Sequence, residues 1–449
     1  LKIPVKDSVS IIGLGYVGAV SCACLAALGH RVVGVDVDQV KVDAIAAGRS
    51  PIHEKDLDTL LSTAVESDLL TASLNIVDAV LETDVTFVSV GTPTAADGGC
   101  DFRYIEEVAS QIGQALALKD SFHVVVLRCS VPPGTTMSVM APILQAVSGK
   151  TLGVDFGLAF NPEFLREGVA IADFRGPPKT VIGASDDRTG EIVSAMFKPV
   201  DEMPIRCAIE EAELVKYVDN VWHATKVCFA NEVGRLAKSY HVDGQSIMRI
   251  FARDTKLNIS DYYLTPGFAY GGSCLPKEVR AVNYLAEVRN LELPLIGAIA
   301  GSNACHIEQA LSMARQTGAK RVAILGVAFK PGTDDLRESP ILEVMAALAD
   351  EGIELVVHDF AITSSTDIAG QMAYVAHGAP HLSRFVETLP EMLTSDVETA
   401  LSDVEAVIVT HRDPDYRTAL LMRPDLHVVD LVRIFDAVPR NRRYSGIGW

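Results

Sequence analysis

Gly13-Leu14-Gly15-Tyr16-Val17-Gly18 limits what this chain can fold into more than any other stretch. It follows an apolar, β-rich run, Ser8 to Ile12, and opens an Ala-rich run of helical character that ends near Gly29. A second β-rich run, Arg31 to Val35, ends at Asp36, 18 residues past the third glycine. Strand, glycine turn, helix and strand in this order make the βαβ unit that receives dinucleotides. Gly13 is expected to form the tight turn. Gly15 lets a pyrophosphate approach the backbone, Gly18 lets helix pack on strand, and the helix N-terminus takes the phosphates. Asp36 is expected to accept the adenosine ribose hydroxyls. A carboxylate there repels a 2′-phosphate, and no Arg follows it directly, so NAD is expected rather than NADP. A glycine turn in another kind of α/β domain is the alternative.

Further βα units follow. Val85 to Val90 and His123 to Leu127 read as buried strands, and ligand groups in such sheets lie just past the strands' carboxyl ends. Thr92 and Ser130 occupy those places, although ordinary loop hydroxyls would too. From Lys320 the α/β pattern restarts, with strands at Arg321 to Leu325, Leu355 to His358 and Val404 to Val409, and a helix at Ile341 to Gly352. There Gly326-Val327-Ala328-Phe329-Lys330-Pro331-Gly332 departs from the first fingerprint, so a second nucleotide-sized domain with different ligand chemistry is expected. Ala361 to Gly378 is polar and weakly patterned and reads as a loop-rich insertion.

With 449 residues, about three domains are expected. The 58 acidic and 39 basic residues leave a net charge of −19, which argues against nucleic acid or an anionic membrane as partner. No apolar run approaches the roughly 20 residues of a membrane span, and the apolar start reads as a strand and glycine turn rather than a signal peptide. Eight cysteines without paired CxxC spacing suggest neither a zinc site nor a disulfide framework. Reduced thiols point to the cytoplasm.

One of those cysteines carries chemistry. Cys274 lies in Gly271-Gly272-Ser273-Cys274-Leu275-Pro276-Lys277, with Pro276 suited to the first turn of a helix and helical spacing from Lys277 to Arg289. A thiol at a helix N-terminus, beside the charge of Lys277, is favoured as the thiolate. Next to a nicotinamide cofactor it could trap an aldehyde and carry it on to an acid. A buried structural cysteine is the alternative. In Asn161-Pro162-Glu163-Phe164-Leu165-Arg166-Glu167, two carboxylates stand four apart. On one helical turn they would face the same way, one as base and one as ligand contact; a solvated acidic turn would look the same. A long helix is expected from Ile209 to Tyr240. On it Lys216, Asn220, His223 and Asn231 share an arc of roughly 80°, either a ligand-facing stripe or a polar surface. Val218, Trp222, Phe229 and Val233 read as packing residues.

Together these motifs, with Phe329-Lys330-Pro331-Gly332-Thr333-Asp334-Asp335-Leu336-Arg337-Glu338-Ser339-Pro340, resemble the UDP-glucose/GDP-mannose dehydrogenase family over nearly the whole chain. Ser50-Pro51-Ile52, Asn220 to Ala224, Tyr262-Tyr263, Gly267 to Tyr270 and the closing Gly446-Ile447-Gly448-Trp449 are most similar to its GDP-mannose branch. The resemblance implies an α/β fold of two Rossmann-like doubly wound domains joined by a long central helix. The expected parts are an NAD-binding domain at 1–208, a helical dimerisation region with the thiol at 209–310, and a nucleotide-sugar domain at 311–449.

The resemblance also implies four-electron oxidation of a nucleotide-sugar C6 alcohol to a uronate, with GDP-mannose as substrate and two NAD per sugar. Cys274 would hold the thiohemiacetal and thioester, Lys216 and Asn220 the oxyanion, and Glu163 would activate water, with Ser130 and Glu278 nearby. Gly13, Gly15, Tyr16, Val17, Gly18, Asp36, Lys41, Thr92, Ser130, Lys277 and Arg337 would meet NAD. Glu167, Lys216, Asn220, His223, Asn231, Tyr262, Tyr263, Phe268, Gly271 and Lys330 would meet the sugar nucleotide, some of them from the partner of a homodimer. No metal is implied. Three positions depart from the family pattern: Glu278 stands for Asp, Ser130 for Thr, and Thr265 for an Arg before Pro-Gly-Phe.

Three other readings fit parts of this pattern. A UDP-sugar dehydrogenase would share every motif, and a binding regulator would need no thiol. A one-step hydroxyacid dehydrogenase would be indifferent to Cys274.

Overall fold

The computed structural model describes residues 7–93, 100–272, 274–363, 366, 368–437 and 443–449. Ser273 of the glycine-thiol motif lies outside them. The chain divides into two compact units, Leu1–Ala224 and Thr225–Trp449, and the division falls within one helix, Ile209–Ser239.

In the first unit, short runs of β-branched residues form strands buried on both faces, as parallel sheets require. They are β1 (Ser8–Ile12), β2 (Arg31–Val35), β3 (Leu70–Ser73), β4 (Val85–Val88), β5 (His123–Leu127), β6 (Phe156–Phe160), β7 (Val181–Ala184) and β8 (Ile205–Cys207). Their order is β3-β2-β1-β4-β5-β6-β7-β8, and every pairing is parallel except β6 with β7. The order reverses between β1 and β4, which opens a crevice beyond their carboxyl ends. The helix Tyr16–Ala27 buries Val20, Ala23, Cys24 and Leu25 in the core on one face of the sheet.

The second unit repeats the plan. Strands β9 (Arg321–Leu325), β10 (Glu354–His358), β11 (Leu393–Thr394), β12 (Ala406–Val409), β13 (His427–Asp430) and β14 (Tyr444–Gly446) lie in the order β11-β10-β9-β12-β13-β14, all parallel. The reversal falls between β9 and β12. The fold is therefore α/β with two Rossmann-like doubly wound sheets and a long helix between them in sequence, as expected. The stretch read as a loop insertion instead contains a helix, Ala369–Gly378. Only Val375 of that helix is buried, but Met372 and Val375, with Ile368 before and Ala379 after them, recur at helical spacing against the second core. Its place comes from packing beside Leu382, Val386 and Leu389.

Three buried glutamates tie distant segments together by meeting backbone N–H groups at helix starts. Glu213 accepts from Gly134 and Thr136 at 2.5 and 2.8 Å. Glu54 accepts from Gly168 and Ala170 at 2.7 and 3.0 Å. Glu232 accepts from Leu295 and Ile296 at 2.8 and 2.9 Å, at the start of the helix Pro294–Gln316. Around Glu232, Phe229 and Leu236 pack with Val282, Ala286, Leu293 and Ile296. Replacing Glu232 with Ala leaves two buried donors unmet, at a cost of about 1–3 kcal/mol. A lower urea midpoint with an unchanged slope is expected.

Candidate active site

The glycine turn has the form a dinucleotide needs. Gly13 has φ +96°, open only to glycine at low cost. A Cβ on Gly18 would collide with the Gly13 carbonyl oxygen, whereas one on Gly15 would meet no described atom within 4 Å. Packing thus closes one side of the turn and leaves the other clear. The helix it opens has no side-chain cap and no acid in its first turn, so its leading N–H groups suit an anion.

Asp36, at the end of β2, accepts from Leu14 N at 2.6 Å and Asp38 N at 2.9 Å, with Lys41 Nζ at 3.3 Å. Burial pushes its carboxyl up, but those two N–H groups, and then Lys41, outweigh this and hold it below the ordinary value. Tyr16 donates to Glu54, and burial followed by that bond pushes its hydroxyl up to about 12. Thr92 and Ser130 follow β4 and β5 and are partly exposed, and Val17 is half-buried beside Gly18. These residues fit NAD.

Beyond β6 the acidic motif is an irregular loop, so Glu163 and Glu167 do not share a helical face. The segment is fixed by Asn161, whose side chain donates to Val181 O at 2.8 Å and receives a bond from Arg128. Glu163 turns inward and Glu167 outward. Lys216 Nζ lies 2.7 Å from Glu163 Oε1 and donates to the Glu163 carbonyl at 2.6 Å, while Glu163 Oε2 accepts from Leu165 N at 2.8 Å. The pair is only 10 and 12 % exposed, so the expected base and the expected oxyanion donor are direct partners. Arg128 lies behind them, buried against Phe174 and Phe197. Burial pulls it down to about 10, opposed by Glu163. A cavity of about 30 Å³ between Arg128, Glu163 and Phe164 has room for one water.

Lys216 is the one buried member of the expected stripe. Asn220, His223 and Asn231 are exposed, so the row faces solvent beyond its first residue. The 3.6-residue period aligned them, but burial ends where the helix leaves the first core.

In the second unit Cys274 is the N-cap of the helix Leu275–Val288, with Pro276 in its first turn, as the sequence predicts. Its side chain is exposed and makes no capping bond. Lys277 and Glu278 pair with each other at 3.2 Å on the exposed face. The loop before the thiol rests on the Phe329–Pro340 motif. A Cβ on Gly271 would strike the Glu338 carbonyl oxygen, and one on Gly272 (φ +84°) would strike the Phe329 ring. Arg337, held by Asp335 at 2.7 and 2.8 Å, lies within electrostatic range of the Cys274 thiol.

Tyr262 and Tyr263 meet edge to face at 4.5 Å and are exposed, as is Lys330. Phe268 packs against the second core. The second glycine turn differs from the first as the sequence suggested. Asp359 is 1 % exposed and accepts from Val327, Ala328 and Ala361 N, so it serves the loop itself.

Sequence reading missed Glu54, Arg128, Arg280 and Glu338. Arg128 left one signal, a charge closing an apolar strand. The others act through contacts 38 or more residues away.

Comparison with known proteins agrees with this geometry. The chain matches the UDP-glucose/GDP-mannose dehydrogenase family's NAD binding domain at residues 7–201, its central domain at 210–304 and its UDP binding domain at 323–437. It is 43% identical over 425 residues to GDP-mannose 6-dehydrogenase of Azotobacter vinelandii, covering 94% of this chain and 96% of that one. It is 38% identical over 358 residues to UDP-glucose 6-dehydrogenase AglM of Haloferax volcanii, covering 78% and 82%. A ternary-complex crystal structure of GDP-mannose dehydrogenase from Pseudomonas aeruginosa superposes with a TM-score of 0.92 at 41% identity, over 98% of this chain and 100% of that one. The chain that carries this glycine turn, this buried acid–lysine pair and a thiol at a helix start thus belongs to the UDP-glucose/GDP-mannose dehydrogenase family.

Proposed function

We propose that the chain oxidises the C6 alcohol of GDP-mannose to the carboxylate, with two NAD per sugar. The observation that carries this reading is Cys274 at the start of its helix, in a chain alike over nearly its whole length to GDP-mannose 6-dehydrogenases. NAD, when bound, supplies the chemistry of hydride acceptance.

The chain's own residues do the rest. The C6 alcohol loses a hydride and its hydroxyl proton to become the aldehyde, the Cys274 S–H adds across that C=O to give a thiohemiacetal, and loss of a second hydride and a proton leaves the thioester, the two hydrides going to the two NAD and the protons to solvent. Water attacks that carbonyl, the C–S bond breaks, and the acid leaves with the thiol restored. Lys216 and Asn220 are assigned to the oxyanion as ammonium and amide donors. Glu163 takes the proton of the attacking water, with Ser130 and Glu278 holding water. Gly13, Gly15, Tyr16, Val17, Gly18, Asp36, Lys41, Thr92, Ser130, Lys277 and Arg337 are proposed for NAD. Glu167, Lys216, Asn220, His223, Asn231, Tyr262, Tyr263, Phe268, Gly271 and Lys330 are proposed for the sugar nucleotide.

A homodimer is part of the proposal, with the parts of each chain divided at 208/209 and 310/311. The helix Ile209–Ser239 leaves Leu214, Val218, Val221 and Trp222 exposed along one face. An apolar stripe of that length on one helix suits a second copy. The cytoplasm, reducing and supplied with NAD, suits a reaction run on a thiol.

Cys274→Ser should abolish acid formation; full carboxylate yield from that variant would refute covalent catalysis. Glu163→Gln should slow hydrolysis about 100-fold or more, so that radiolabelled sugar stays bound to the denatured protein. A normal deacylation rate would move the base to Glu167 or Glu278. Thr265 replaces a guanidinium that could grip phosphate, which gives a UDP-sugar reading some footing. NADH release from GDP-mannose and not from UDP-glucose, at two per sugar, is the expected result.

A further inference from the structure

The helix that carries the thiol is loosely seated where position matters most. Of the 14 residues in Leu275–Val288, only Ala286, near the far end, is buried. Beside its first turns lies a chamber of about 410 Å³, lined among others by Pro276, Val279, Ala300, Ile307, Leu342 and Tyr374. No packed core braces that side. Asn303 bonds the Tyr270 backbone on the near side of the loop at 2.9 Å, and two further contacts of the thiol segment meet at one residue, Glu338. Its carbonyl accepts the Gly272 N–H at 3.3 Å. Its carboxylate grips Arg280 of the same helix through two bonds of 2.7 and 2.9 Å. Glu338 has φ +49°, a left-handed conformation that costs a non-glycine residue about 1 kcal/mol or more. That turn lets one residue present carbonyl and carboxylate to the two ends of the thiol segment.

We infer that Glu338 is a positioning residue of the nucleophile, fixing the Cys274 sulfur at the start of its helix through the Gly272 and Arg280 bonds. It touches no reacting atom. The inference rests on Cys274 being the nucleophile, yet how the thiol is presented can be read without substrate. Small misplacements at a reacting centre cost large factors in rate, so a two-point hold has a function even where its net stabilisation is slight. The Arg280–Glu338 pair is bidentate but partly exposed, a geometry of modest energy and high directional precision.

The test uses full-length protein with Cys228 and Cys305, the other two exposed thiols, changed to Ser. Iodoacetamide alkylation of Cys274 is followed against pH for Glu338→Gln, Arg280→Met and the double variant. Lys277, Glu278 and Arg280 on the helix, and Lys330, Asp334, Asp335, Arg337 and Glu338 on the segment packed against the loop, are the charged groups around the thiol. The expected result is a rate about tenfold lower near neutral pH in each single variant, with no further loss in the double. NADH affinity by fluorescence should stay within about twofold. With substrate, kcat should fall while KM holds, and the swapped pair Arg280→Glu with Glu338→Arg should recover part of the loss. An unchanged alkylation profile, or additive losses, would overturn the inference. If Glu338→Gln does not fold, Arg280→Met makes the same test from the helix side. Failure of Cys274→Ser to stop acid formation would instead strike at the proposed function and leave the alkylation result standing.

Discussion

Every helix begins with N–H groups that its own turns cannot satisfy, and much of this molecule is arranged by how that demand is met. At several starts the answer is local: Asp38, Asn75, Asp186 and Asp243 cap the helices they precede. At three others a buried glutamate arrives from far along the chain, and Glu54, Glu213 and Glu232 thereby fasten loops and helices into two units. At the two starts that matter for chemistry, Tyr16 and Leu275, no capping side chain bonds the first N–H groups. There the positive end of the helix carries no side-chain cap, next to the glycine turn in one unit and the Cys274 thiol in the other.

The same economy of charge shapes the first unit. A chain with 19 more acids than bases keeps Lys216 buried and gives it Glu163 at 2.7 Å. Apart, each would be an uncompensated charge in a dry site, which is costly. Together they neutralise each other at rest, and a substrate oxyanion would take up the lysine as the carboxylate turns to water. Arg128 completes the local balance from behind, its guanidinium spread over two phenylalanine rings.

What could be read from the sequence follows the range of the interaction concerned. The βαβ unit, the strands β1, β2, β4, β5, β9, β10 and β12 and the Cys274 helix start are set by neighbours within a few residues, and their residues announce them; the remaining strands take their place from the sheet they join. The buried glutamates are not announced, because a Glu inside a helical run looks the same whether it meets water or another helix's N–H groups. The period of the long helix put Lys216, Asn220, His223 and Asn231 on one face. Which of them the protein covers depends on where the first core ends, and only Lys216 is covered. Ala369–Gly378 carries only a thin apolar row, Ile368, Met372, Val375 and Ala379, set among glycines and polar residues, and packs beside Leu382, Val386 and Leu389.

Gly271 lies 67 residues before Glu338 and Gly272 lies 57 before Phe329, the groups they press against, and neither position leaves room for a side chain. The two segments are therefore inherited as one piece. A chimera that takes its C-terminal domain from a relative would, if joined anywhere between Gly272 and Phe329, mate a loop with a surface it was never shaped for. Joins placed ahead of Phe229 keep both halves of that seam together, and the Glu232 clamp with them.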